Sequence, residues 1–107
     1  MQEAYEKYQD EVGIIALDPM DDNAAVEGFK SSMGLTFPMA NCDPVFQDVF
    51  QINAYPTTLV IDRTGTICLS HVGMFTDSTA LCNALEYFTQ ETYEQKVFET
   101  IEEIPEV

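Results

Sequence analysis

At 107 residues, 46% of them hydrophobic, the chain is sized for one domain (1–107) with a packed core and is not expected to be disordered. Nineteen acidic residues against four basic ones give a net charge of −15, which argues against nucleic-acid binding or a polybasic membrane contact, since both need clustered Lys and Arg. The longest apolar runs are far shorter than a membrane span, and the opening residues MQEAYEKYQDE are amphipathic, so neither a membrane segment nor a signal peptide is expected in this chain.

In chain order, Met1, Ala4, Tyr5 and Tyr8 fall on one face of a helix. Nothing precedes Met1 to cap it, so the chain is expected to begin inside a helix whose first turns are missing. Val12 to Asp18, VGIIALD, is a nearly continuous apolar run that suits a strand buried on both faces of a parallel sheet, ended by Pro19. In DDNAAVEGFKSSMGL, Asp22 or Asn23 caps a helix that turns Val26, Phe29 and Met33 inward, and Gly34 stops it in a left-handed conformation. A short extended piece, TFPMA, leads to CDPVFQDVFQI, where Asp43 caps, Pro44 takes the first helical position, and Val45, Phe46, Val49 and Phe50 form the buried face.

TTLVID and TICLSHV read as two strands joined by a tight turn through Asp62, Arg63, Thr64 and Gly65, with the glycine supplying the positive φ. Strict alternation sends Ile67 and Leu69 to one face and Cys68 and Ser70 to the other. A helix is expected from near Thr76 or Asp77, with Leu81, Ala84, Leu85 and Phe88 inward. A last helical pattern through Tyr93, Val97 and Ile101, closed by Pro105, makes 91–107 a C-terminal helical extension. Strands separated by helices and then a hairpin define an α/β fold, parallel strands with an antiparallel C-terminal hairpin, flanked by helices.

Cys42, Cys68 and Cys82 lie far apart and lack zinc-ligand spacing, and an odd count in a small domain is not a disulfide framework; all three are expected to stay reduced. Cys42 is the redox candidate among them, because it directly precedes a helix start, which lowers a thiol pKa, although the neighbouring Asp43 charge raises it. His71, the single histidine, has no Cys or Asp placed to make a catalytic pair and reads as structural. Without a Gly-rich phosphate loop, a histidine pair or clustered Cys and His, neither a metal nor a cofactor is expected.

GIIALD, GLTFPMANCDP, FQINAYPTTLVIDRTGTI and HVG together resemble the redoxin branch of the thioredoxin superfamily. That branch includes exported thiol-disulfide oxidoreductases of the cytochrome c maturation type and the related peroxiredoxins. The resemblance runs from Met1 to about Phe88 and is most specific at Tyr55 to Gly65; residues beyond about Glu91 match nothing in it. It implies a truncated thioredoxin-like fold in which Pro56 is cis and Tyr55, Pro56 and Thr57 form a substrate-binding loop for an extended chain. It further implies a protein thiol or disulfide as partner, an acidic residue at Asp21 or Asp22 that tunes proton transfer, and a parent protein that is often extracytoplasmic.

The departure from the family is as informative as the match. The strand and Cys-x-x-Cys that precede the first helix in family members are not in this sequence, and disulfide exchange needs an attacking thiolate and a resolving thiol. Two functions of different class follow: part of a thiol-disulfide oxidoreductase that is inactive by itself, or a non-catalytic module that binds a partner through the Pro56 loop. A peroxide or redox-sensing role at Cys42 is a third. Without the family's central strand, the segments Ile14 to Leu17 and Leu59 to Ile61 are expected to pair directly in parallel, with strand exchange or a homodimer through the exposed edge as the alternative.

Overall fold

The computed structural model describes residues 1–75 and 78–107. The chain divides into two compact units, residues 2–53 and residues 54–107, the latter grouped with Met1.

In the first unit, helix α1 (Gln2–Tyr8) buries Ala4 and Tyr8 and sets the Tyr5 ring edge-on to Phe37 at 6.0 Å. The Gln2 side chain fastens this helix to a later segment in both directions: its Nε2 donates to Thr36 Oγ1 at 2.7 Å and its Oε1 accepts the Thr36 N–H at 2.9 Å. Strands β1 (Ala16–Asp18) and β2 (Met39–Asn41) pair in parallel, Ala16 opposite Met39, and helix α2 (Asn23–Ser32) makes the crossover that parallel strands need. Asp22 caps α2 by accepting the Ala25 N–H at 2.8 Å. Its other end closes with Gly34 at φ 67°, the Gly34 N–H on Ser31 O and the Leu35 N–H on Lys30 O, which together answer two of the last carbonyls. Helix α3 (Val45–Val49) begins after Pro44, and Asp43 accepts the Val45 N–H at 2.9 Å. It ends the same way as α2, with Gln51 at φ 54°, its N–H on Asp48 O and the Ile52 N–H on Gln47 O.

Four expectations for this unit are corrected. The strand expected from Val12 is only three residues long, and Ile15 before it and Leu17 within it are 63% and 47% exposed rather than buried. Only Val26 of the α2 face is buried; Phe29 and Met33 are exposed. The α3 face of Val45, Phe46, Val49 and Phe50 is exposed too, since a five-residue helix is too short to lay a full apolar stripe on anything, and Phe46 stacks on Phe50 at 5.9 Å instead. The segment read as a mere extended piece supplies β2, the partner of β1.

In the second unit, β3 (Thr57–Ile61) and β4 (Ile67–Val72) form an antiparallel hairpin whose turn carries Gly65 at φ 86°. Helix α4 (Thr79–Phe88) buries Leu81, Ala84, Leu85 and Phe88, the four residues its periodicity nominates; the expected start at Thr76 or Asp77 lies outside the described residues. Alternation on β4 fails at one point. Val60 faces Leu69 while Ile61 faces Ile67, so Cys68 is an extra residue in a bulge, and Cys68 and Leu69 are both buried while Ile67 is exposed.

The C-terminal extension is not the expected helix. Residues 91–100 are irregular and only Ile101–Glu103 forms a single 3-10 turn. The physical reason is a competing partner: the Phe98 N–H donates to the Cys68 carbonyl at 2.8 Å, whereas a helix would have used that N–H internally. Phe98, Ile101 and Ile104 are buried against Cys68, Leu69, Ala84 and Phe88, while Val97, which the helical pattern turns inward, is exposed. Tyr87, Phe88, Tyr93 and Phe98 meet edge to face, with Tyr87 and Phe98 5.3 Å apart at 84°, the arrangement that the ring quadrupoles favour. Among the described residues, no helix is long and apolar enough to cross a membrane.

Candidate functional site

The loop before β3 is built by backbone and side-chain bonds at its two ends. Thr57 Oγ1 donates to Ala54 O at 2.6 Å, and the Gly73 N–H donates to Pro56 O at 2.8 Å. Between them, the Tyr55–Pro56 peptide is cis and the Tyr55 side chain is exposed. No described residue bonds to the Tyr55 amide or carbonyl. Gly73 sits at φ 104°, a conformation in which a side chain is strained, although no atom lies close to where its Cβ would be. Tyr55, Pro56 and Thr57 are thus held as one exposed loop clamped to the far end of the hairpin.

Cys42 and Asp21 belong to the other unit, at the C-terminal end of the β1–β2 pair, the end at which open α/β sheets commonly bind ligands. Asp18, which the sequence did not single out, connects them. Its carbonyl accepts the Cys42 N–H at 2.9 Å, while its carboxylate accepts the N–H groups of Met20 at 2.8 Å and Asp21 at 3.1 Å. Those bonds, the Met20 amide first and then the Asp21 side chain, hold the Asp18 carboxyl below the usual range. Asp21 moves the opposite way: its hydrogen bond to the Asp18 carboxylate and then the Asp18 charge raise it. The visible signal was only DPMDD, in which an Asp three residues before another reads as a turn. Cys42 is half-buried and, like Cys68 and Cys82, is in no disulfide. The helix that follows it is short, and Asp43 already takes the Val45 N–H at its start.

His71 lies on β4 opposite Thr58, stacks on Phe75 at 4.5 Å, and has a buried Nε2 without a partner among the described residues. No group of three His, Cys, Asp or Glu suited to a metal occurs among the described residues.

Sequence reasoning placed the hairpin turn but missed the side-chain network that builds it. Asp62 is buried and its Oδ1 accepts the Thr64 N–H, the Thr64 hydroxyl at 2.6 Å and the Thr66 N–H, while its Oδ2 accepts the Tyr93 hydroxyl at 2.6 Å. The Thr64 hydroxyl, then the Tyr93 hydroxyl, hold Asp62 down to about 2 against the opposing effect of burial. Burial and then the bond to Asp62 push Tyr93 up to about 12. Burial, with the Asp62 charge, likewise pushes the Cys68 thiol to about 11, far from a reactive thiolate. Arg63 donates to Phe88 O at 3.4 Å and Gln90 O at 2.8 Å, closing the C-terminal end of α4, and its guanidinium lies 5.7 Å from the Tyr93 ring centre. An open hollow of ≈ 340 Å³ among Tyr87, Tyr93 and Lys96 involves none of the residues nominated from the sequence.

A parallel β-α-β pair, an antiparallel hairpin and a proline loop leading into that hairpin define a thioredoxin-like α/β fold. The chain is similar to the thiol-disulfide oxidoreductase ResA of Bacillus thuringiensis (strain Al Hakam) and of Bacillus anthracis, 33% identical to each over 75 residues. The match takes in 68% of this chain but only 43% of each relative, so the chain spans less than half the length of the curated relatives it matches. No family model and no solved structure matches. The likeness supports kinship with the thioredoxin-like redoxins that act as thiol-disulfide oxidoreductases.

Proposed function

We propose that this chain carries the polypeptide-binding side of a thiol-disulfide oxidoreductase and is by itself inactive in disulfide exchange. The observation that carries the reading is the loop of Tyr55, Pro56 and Thr57, with Tyr55 exposed and its backbone unbonded by any described residue, in a chain similar to ResA. An extended substrate strand pairs with the Tyr55 amide and carbonyl, as a strand adds to a free sheet edge. Chemistry at that point requires a low-pKa thiolate and a second thiol. No Cys-x-x-Cys occurs in the sequence, Cys68 is buried with a raised pKa, and Cys42 has no thiol partner.

The test has two arms. With a dithiol reductant and insulin, the chain is expected to give no turnover above background; activity that disappears in Cys42→Ser would assign the chemistry to Cys42 and overturn the reading. A cysteine-containing extended peptide, titrated while backbone amide resonances are followed, is expected to shift Tyr55 and Thr57 first. Shifts confined to other segments would remove the loop's assignment.

A further inference from the structure

The β3–β4 hairpin changes register once, at a point several residues from the proline loop. From Thr57 opposite Val72 up to Val60 opposite Leu69 the ladder is regular, and it then shifts by one residue so that Ile61 faces Ile67. Carried back from Ile61 and Ile67 without the bulge, regular pairing would set Val60 against Cys68 and Pro56 against Val72. With the bulge, Gly73 arrives opposite Pro56 instead, and its N–H reaches Pro56 O at 2.8 Å. Gly73 suits that place because its φ of 104° is costly for valine, a β-branched residue.

A bulge leaves backbone groups of the extra residue without ladder partners. Here they find others. The Cys68 carbonyl accepts the Phe98 N–H at 2.8 Å, the Cys68 thiol donates to Val60 O at 3.3 Å, and the Phe98 side chain is buried in the cluster that Cys68 and Leu69 belong to. The same segment is held again at the turn, where Tyr93 donates to Asp62 and accepts the Lys96 N–H at 3.2 Å.

We propose that residues 93–98 act as a strap that selects the bulged register of β3 and β4 and thereby positions the Tyr55–Pro56–Thr57 loop, with Phe98 as the positioning residue. Because side chains alternate with a period of two, a one-residue slip would turn every β4 side chain beyond the bulge to the opposite face. The strap removes that alternative by giving the bulged carbonyl a donor that a straight hairpin has no use for. The inference rests on the reading of the loop as a polypeptide-binding site, but the register itself is measurable without any ligand.

The experiment compares Phe98→Pro, which deletes the N–H, with Phe98→Leu, which keeps it and an apolar side chain. Hydrogen exchange of the Gly73 amide is expected to quicken about tenfold in the proline variant relative to the leucine variant, the scale of one hydrogen bond, with the Gly65 amide of the turn unchanged. Cross-strand proton contacts should move from Leu59 with Ser70 towards Leu59 with Leu69. Equal Gly73 exchange in the two variants overturns the proposal. If Phe98→Pro does not fold, Tyr93→Phe takes its place: about threefold faster Gly73 exchange is expected there, and exchange equal to the wild type overturns it. Failure of the wild-type chain to bind an extended peptide would count against the loop's function alone, since the Gly73 comparison stands without it.

Discussion

The two units of this protein are stabilised by different means. Residues 54–107 enclose Cys68, Leu69, Leu81, Ala84, Leu85, Phe88, Phe98, Ile101 and Ile104, whereas residues 2–53 bury only Ala4, Tyr8, Val26 and Phe37 and leave Phe29, Val45, Val49 and Met20 exposed. In the first unit much of the order is local, with Asp22 and Asp43 at helix starts and Gly34 and Gln51 at helix ends, and the ties between distant residues are the short β1–β2 ladder and the Gln2 to Thr36 clasp. In the second, order comes from side chains distant in sequence that meet in one cluster. A fully buried Leu or Phe contributes about 1.5–3 kcal/mol, a cap about 1 kcal/mol, so the same substitution chemistry should have unequal consequences in the two units.

The sharpest form of the comparison sets one phenylalanine in each unit against the other. Phe88→Ala should destabilise by about 3–5 kcal/mol in urea titration followed by tyrosine fluorescence, because Phe88 is buried among Cys68, Phe98 and Ile101. Phe29→Ala, 53% exposed, should fall within about 0.5 kcal/mol of the parent protein. Equal effects would mean that the contrast in burial does not describe the protein in solution.

Acidification should also discriminate. Asp62 is depressed to about 2 in the folded state, so what its charge contributes is present above the ordinary carboxylate range and is lost as pH falls through about 2. Hydrogen exchange of the Thr64 and Thr66 amides should quicken across that acid range, and Tyr93→Phe should blunt the change. At the other extreme, Tyr93 raised to about 12 contributes below the ordinary tyrosine value of about 10, and that contribution is lost as pH rises through about 12. Thr64 and Thr66 exchange that ignores acid in the parent protein would break the link between turn and C-terminal segment.

Smaller effects belong to the locally ordered unit. Asp22→Ala removes the acceptor of the Ala25 N–H and should cost about 1 kcal/mol, seen as a lower urea midpoint or as local fraying of α2 by amide exchange. Gln51→Gly should do the reverse: a non-glycine residue at φ 54° carries a conformational cost, and glycine there should stabilise by about 0.5–1 kcal/mol. A loss of stability in Gln51→Gly would show that the glutamine side chain matters more than the backbone.

The sequence by itself determined what short-range rules govern. The inward face of α4 was legible because its periodicity and its burial agree residue for residue, and the hairpin was legible because a glycine-bearing turn separates two strand patterns. The cap at Asp22, one of two neighbouring candidates, followed from local chemistry in the same way, whereas the Tyr55 to Thr57 loop was nominated only through the family resemblance. Tertiary structure alone decided the rest. Apolar residues on α2 and α3 fit helical spacing, but spacing says nothing of whether a second surface covers them, and none covers Phe29 or Val49. Tyr93, Val97 and Ile101 also fit a helix, yet the Phe98 N–H was taken by the Cys68 carbonyl thirty residues earlier, and the segment was drawn out to reach it. Asp18 and Asp62 also bind near neighbours, but the bonds that tie Asp18 to Cys42 and Asp62 to Tyr93 join residues that no window of neighbours contains: such hydrogen bonds are settled in space, after the chain has brought distant groups together.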